Sequence, residues 1–300
     1  VGMHYRPIID LNHPGVRKFF ALLVPVFIGL SVTHLNTFVG TNLGSSLGEG
    51  IVTALSNAQR LMMLPVGVFA ISIAVASFPT MAAHVAQNNM EAYKEDLSLS
   101  FRTIVFINVP AAVGMAVLSV PIVRAMYMQG NFTLANMDVT ADALVFYCIG
   151  LLGYGAQHAL NRGFYAIQDT KSPVAINVGV IILNIALSII LSKVLGYRGL
   201  ALAYSIAGLV SIAALLWGLN RKVGRLGGKR MLISCIKSLV SSSIMGIAVY
   251  FTAKGLENIW DMSLKTAQIT EVCIAVAVGV AVYAVMAYVL KMEEMHEALK

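Results

Sequence analysis

Charge is what this 300-residue chain has least of: Asp, Glu, Lys and Arg together make up 12% of it. Soluble globular domains carry roughly 25%, so a soluble enzyme or binding module is excluded. Acids are scarcer than bases, 14 against 21, which leaves a net charge of +7. The only cysteines are Cys148, Cys235 and Cys273; they are scattered, form no CxxC pair and so exclude a disulfide scaffold. HExxH, GxSxG and Walker sequences are missing, as is a pair of intramembrane aspartates of the protease kind. No catalytic residue, metal ligand or cofactor is therefore assigned, and enzymatic activity is not expected. No repeat of 20–50 residues and no low-complexity tract is seen. The chain begins at Val1 with no initiator Met or signal peptide, which fits a piece of something longer.

Apolar surface is what abounds, with 58% hydrophobic residues and a mean hydropathy of +0.79. At about 20 residues per crossing, the runs predict eight spans near 17–43, 50–83, 101–127, 138–166, 173–195, 199–220, 232–255 and 266–290. The fold class expected is an all-α, polytopic membrane helical bundle. Pro65 and Pro79 fall inside the second span, and each removes a backbone donor, so bends are expected there. Gly40 and Gly44 form a GxxxG, and Gly150, Gly153 and Gly155 cluster in the fourth span, where small residues permit close helix approach.

Orientation follows from the cations. Fourteen of the 21 Lys and Arg are assigned to loops and span ends on the N-terminal side, five to the other, and two, Arg60 and Arg162, to neither because they fall deeper within spans. The positive-inside rule then puts both termini in the cytoplasm. The +7 charge labels a membrane side, with contact to anionic membrane lipids, and implies no nucleic acid. The basic stretch 221–231 separates a six-helix unit, 17–220, from a hairpin, 232–290; residues 1–16 form a lead-in and 291–300 a tail.

Arg60 lies ten residues into the second span, roughly 15 Å deep at 1.5 Å per residue. A translocon scale puts an Arg at a helix centre at about 2.5–3.5 kcal/mol, so something polar must face it. Asn57 shares its face and Gln59 adjoins it. A planar guanidinium facing a wet cavity suits phosphate; capping of carbonyls or pairing with an acid on a missing partner is the plainer alternative. No acid other than Asp142 reads as lying well inside a span. Arg162 reads as an anchor or a partner of a carboxylate such as Asp169. His34 and His158 read as hydrogen-bonded between helices, with proton relay the alternative. Asn177 and Asn184 share one face; with Asn36 and Ser188 they supply oxygens for a small cation or, more commonly, interhelical hydrogen bonds.

Three stretches go further. One is Gly50 to His84, GIVTALSNAQRLMMLPVGVFAISIAVASFPTMAAH. The second is Tyr127-Met128-Gln129-Gly130-Asn131-Phe132-Thr133. The third runs from Arg162-Gly163-Phe164-Tyr165-Ala166 through Asp169-Thr170 to Pro173, followed by Gly199-Leu200-Ala201-Leu202-Ala203. In this order they resemble the MurJ (MviN) family of lipid II flippases, of the multidrug/oligosaccharidyl-lipid/polysaccharide exporter superfamily. The resemblance implies fourteen helices in the whole protein, of which this chain supplies the second six-helix lobe and the terminal hairpin. It implies a cationic cavity for the pyrophosphate and sugar head of lipid II, a groove at the hairpin for the polyprenyl tail, and alternating access by rocking lobes. Arg60 falls on a cavity arginine, with Asn57 and Gln59 beside it and Pro65, Pro79, Arg162 and Asp169 as structural or gating positions. Where some members place carboxylates around sodium, this chain retains Asn184 but has Gly40 and Ser188, so membrane potential or another monovalent ion is expected to drive the cycle. Partners would be lipid II, membrane lipids and the missing N-terminal lobe, in a bacterial cytoplasmic membrane. The alternatives are another exporter of the superfamily, for teichoic-acid or O-antigen lipids or drugs, and an intramembrane polyprenyl-lipid transferase.

Overall fold

The computed structural model describes residues 34–129, 132–260 and 264–298, and no strand occurs among the described residues. The helices are α1 (34–46), α2 (Ile51–Ala86), α3 (Met90–Val117), α4 (Ser119–Tyr127), α5 (Leu134–Ala166), α6 (Lys171–Leu195), α7 (Tyr197–Val223), α8 (Gly228–Ile259), α9 (Lys265–Val289) and α10 (Glu293–Ala298). Seven of them, α2, α3 and α5–α9, are long and apolar enough to cross a membrane. The lead-in 1–16 and the first span up to residue 33 lie outside the described residues, as do Gly130, Asn131 and Lys300.

The third span differs from expectation. Its helix starts at Met90, not near 101, and stops at Val117 before the separate α4. Asn89 caps the start, its side chain accepting from Ala92 N–H at 3.2 Å. Glu91 and Glu95 face outward while Tyr93, Leu97 and Phe101 are buried. The charged stretch thus extends the helix beyond the apolar core rather than forming a loop. Pro121, in the first turn of α4, occupies a place where a missing N–H costs nothing.

Of the two expected bends, Pro65 is followed by a wide π-helical turn, Val66–Ala70, an irregularity of the kind found at kinks in long helices. Past Pro79, α2 remains α-helical to Ala86.

Helix α5 is the hub. A Cβ on Gly150 would sit 2.6 Å from the Ser205 Cα on α7, and Gly153 meets the Gly208 backbone in the same crossing. Of the GxxxG pair, Gly44 is pressed against Val52 while Gly40 has open space. In lipid, apolar transfer gives helices no reason to associate; close packing and interhelical polar contacts do. The hairpin shows both. Pro110 cannot bond the Phe106 carbonyl, four residues back on α3, and the Tyr283 hydroxyl of α9 donates to it at 2.8 Å. Arg124 on α4 reaches Glu257 of α8 at 3.0 Å and Glu271 of α9 at 2.8 Å. Glu271 is fully buried inside a spanning helix, which corrects the expectation that Asp142 is the one acid so placed.

Arg221 and Lys222 lie in the last turn of α7, and Lys229 and Arg230 open α8. The connection itself is only 224–227.

Candidate functional site

Helices α1, α2, α5, α6 and α7 line an open cavity of about 160 Å³. Asn36 enters from α1, Gln59 from α2, and Asn184 and Ser188, one turn apart, from α6. Asn184 Nδ2 donates to Asn36 Oδ1 at 2.9 Å, tying α6 to α1. Asn184 Oδ1 is buried without a hydrogen-bond partner. Every described lining residue is neutral, so the cavity suits water or a weakly held monovalent ion rather than a divalent one. Asn177, expected to join this face, instead accepts from Gln157 Nε2 at 2.8 Å. Both asparagines therefore make interhelical hydrogen bonds.

The back wall is aromatic. Tyr204 stacks on Tyr154 with centroids 4.2 Å apart and meets Tyr147 edge-on at 5.4 Å. Gln59 hydrogen-bonds the Tyr204 side chain. Sequence reasoning missed these tyrosines; the available signal was Tyr147 and Tyr154 seven residues apart on one face of α5, each with a polar tip.

Arg60 does not line this cavity. It is exposed on a stripe of α2 formed by Thr53, Arg60, Leu64, Val68, Ile71 and Val75, all left uncovered. It makes no hydrogen bond or ion pair among the described residues, so the carbonyl-capping alternative is not seen there. Asn57 is buried, at 9% exposure, and does not accompany Arg60 on the open side. One unpaired cation thus stands in a stripe that is apolar from Leu64 onward.

Asp169 and Arg162 bind helices together. Gln168 turns at φ 58°, and the Asp169 carboxylate accepts from the Lys171 and Ser172 amides at 3.2 and 3.1 Å, capping α6. It also pairs with Lys222 of α7. Desolvation pushes the Asp169 carboxyl up, but the hydrogen bonds from Lys222 and Ser172 and the Lys222 charge outweigh it and hold the group at about 2. Arg162 lies over the Phe78 ring at 5.5 Å, a cation–π contact to α2 in place of the expected carboxylate. His34 is exposed and His158 half-buried, and among the described residues neither makes the expected interhelical hydrogen bond.

A second cavity, of about 500 Å³, runs between α3, α8 and α9, with Phe106, Pro110, Gly114, Met245, Gly279 and Tyr283 among its lining. It is almost wholly apolar, a lining that suits hydrocarbon.

Comparison with known proteins agrees at three levels. The family model described as "Lipid II flippase MurJ" matches residues 1–291. The "Probable lipid II flippase MurJ" of Vibrio cholerae serotype O1 is 31% identical over 219 residues, 73% of this chain and 42% of the relative. That of Thermotoga maritima is 25% identical over 99% of this chain and 57% of the relative. The solved "Lipid II flippase MurJ, inward closed conformation" superposes with a TM-score of 0.77 at 28% identity, over 95% of this chain and 56% of that one. An outward-facing multidrug resistance MATE family transporter shares the fold, with a TM-score of 0.56 at 16% identity. The chain spans about half the length of the curated relatives it matches.

Proposed function

The chain belongs to the MurJ lipid II flippase family, and from that premise we propose that it forms the second lobe and terminal hairpin of a lipid II flippase. The observation that carries this reading is Arg60, a lone unpaired cation on an uncovered stripe of α2. Facing lipid, such a group would cost about 2.5–3.5 kcal/mol. Facing a wet cavity completed by a first lobe, it binds the pyrophosphate through paired N–H donors. The polyprenyl tail lies in the apolar groove along α3, α8 and α9, and the cavity around Asn36, Asn184 and Ser188 is a polar joint between α1 and α6 that water or a monovalent ion occupies. Pro65 with its π turn supplies a hinge point in α2, and Arg162 and Asp169 fix the helix ends about which the lobe rocks.

The headgroup moves from the cytoplasmic to the periplasmic leaflet of the bacterial inner membrane, with both termini of this segment cytoplasmic. An inside-negative potential favours outward movement of each negative charge by about 2.3 kcal/mol per 100 mV. The process is transport without bond making. Replacing Arg60 by Ala in the full-length protein is expected to abolish lipid II export and block growth at normal protein abundance. Unimpaired export would remove Arg60 from the site. The MATE likeness keeps a second reading open, export of another lipid-linked sugar or a drug. Stabilisation of the purified protein by those compounds and not by lipid II would favour it.

A further inference from the structure

The basic end of the hairpin holds a charge cluster that the transport reading does not use. Arg102 on α3 and Arg230 and Lys237 on α8 line a pocket of about 100 Å³, closed on one side by Glu293 and Glu294 of α10. The Arg102 side chain is 11% exposed; its Nη1 lies 2.6 Å from Glu293 and 3.3 Å from Glu294. Its Nε is buried without a partner. Lys237 donates to the Leu290 carbonyl at 2.8 Å, at the end of α9. Arg230 is exposed and makes no hydrogen bond or ion pair among the described residues. Three cations against two carboxylates leave the pocket net positive. The Glu293 carboxyl is held below its ordinary range, first by the Arg102 hydrogen bond and charge, with Arg230 and Lys237 adding. Yet the Glu293 side chain is 69% exposed, so it can leave.

The surface beside this pocket specifies what else enters it. From Arg230, the positions Ile233, Lys237, Val240, Ile244, Ile247 and Phe251 recur every three or four residues and so share one face of α8. Their apolar members are 40–68% exposed. Cations occupy one end of the stripe and hydrocarbon the rest. From Val240 to Phe251 the stripe runs roughly 16 Å at 1.5 Å per residue, about half of a ~30 Å hydrocarbon core. That is one leaflet. The apolar groove uses a different face of α8, that of Met245 and Val249.

We propose that this end of the hairpin binds one anionic diacyl phospholipid. Its phosphate sits among Arg102, Arg230 and Lys237, and an acyl chain lies along the Ile233–Phe251 stripe. Glu293 acts as an intramolecular competitor for the same cations, while Glu294, 3% exposed, stays against Arg102. Basic pockets between spanning helices are a recurrent means of holding lipid headgroups, and three converging donors distinguish a phosphate diester with a free negative charge from a zwitterion. The site does not depend on what the central cavity carries.

The test uses the full-length protein equilibrated with mixed phosphatidylglycerol and phosphatidylethanolamine vesicles, with retained lipid counted by native mass spectrometry. Phosphatidylglycerol is expected to be retained at least tenfold over phosphatidylethanolamine. Arg230→Gln with Lys237→Gln should cut that preference at least fivefold at an unchanged unfolding midpoint; Glu293→Gln with Glu294→Gln should raise it. If the double cation variant is unstable, Arg230→Gln alone, at an exposed position, must shift the preference the same way. Equal retention of the two lipids, or no change in the variants, would overturn the proposal. Displacement by equimolar polyprenyl phosphate would hand the site to a lipid carrier, and full competition by millimolar inorganic phosphate would reduce it to a bare anion site; either result defeats the phospholipid assignment.

Discussion

The seam that fastens the hairpin and the open face of α2 treat charge in opposite ways. At the seam, Arg124 bridges Glu257 and Glu271 near one end, and Arg102 meets Glu293 and Glu294 near the other. Between them the Tyr283 hydroxyl satisfies the carbonyl that Pro110 frees. Each of these charges has an opposite partner within 4 Å, the arrangement that lets ions sit in a low-dielectric interior. On α2, Arg60 has no such partner among the described residues and stands exposed between Thr53 and Leu64. Paired charges hold two elements in one relation; an unpaired charge is available to a ligand. The contrast separates charges that fasten helices to one another from a charge that no described residue satisfies.

The seam breaks most severely through its buried pair. Arg124→Ala leaves Glu271 uncompensated in the interior, so about 3–5 kcal/mol of stability should be lost, seen as a lower unfolding midpoint. Export should fall only in proportion to the folded fraction. Tyr283→Phe strips one hydroxyl and leaves the Phe106 carbonyl unsatisfied, an effect of about 1–3 kcal/mol, measurable as faster amide exchange at the α3–α9 contact. The smallest effect belongs to the clamp between α6 and α7. Asp169 is held at about 2 against an ordinary value of 3.8, so the folded state binds its proton less tightly than the unfolded chain does. That stability is complete above about pH 4 and fades as pH falls towards 2. Asp169→Asn should flatten the unfolding midpoint across that window; a retained slope would assign it to other acids.

Much of this was legible in composition. Spans of twenty or more apolar residues announce themselves, and with them the helical class, because a bilayer leaves the backbone no other open-ended solution. Arg60 stood out for the same reason. The break at Leu118 was less visible, since apolarity continues through it and only Pro121 marked a new helix start. The Met90 start was masked by Glu91, Lys94, Glu95 and Asp96, which look like a loop until the buried series Tyr93, Leu97 and Phe101 is read at helical spacing. The partnership of Arg124 with Glu271 spans 147 residues, and no local pattern encodes it. Asn36 and Asn184, 148 apart, were grouped by polarity alone; that they meet in one cavity with Gln59 is a product of topology. Arg162 failed as a carboxylate partner because Phe78, not an acid, lies beneath it.

The most direct measurement is the affinity of the full-length protein for lipid II, compared among the native chain, Arg60→Lys and Arg60→Ala. Hydrogen bonds to a charged group contribute about 1.5–3 kcal/mol, roughly a 10- to 150-fold change at 1.4 kcal/mol per tenfold. Arg60→Ala should therefore weaken binding at least tenfold at an unchanged unfolding midpoint, with Arg60→Lys in between because it keeps the charge and loses the paired donors. An affinity unchanged by Arg60→Ala would contradict the assignment of this arginine to the pyrophosphate.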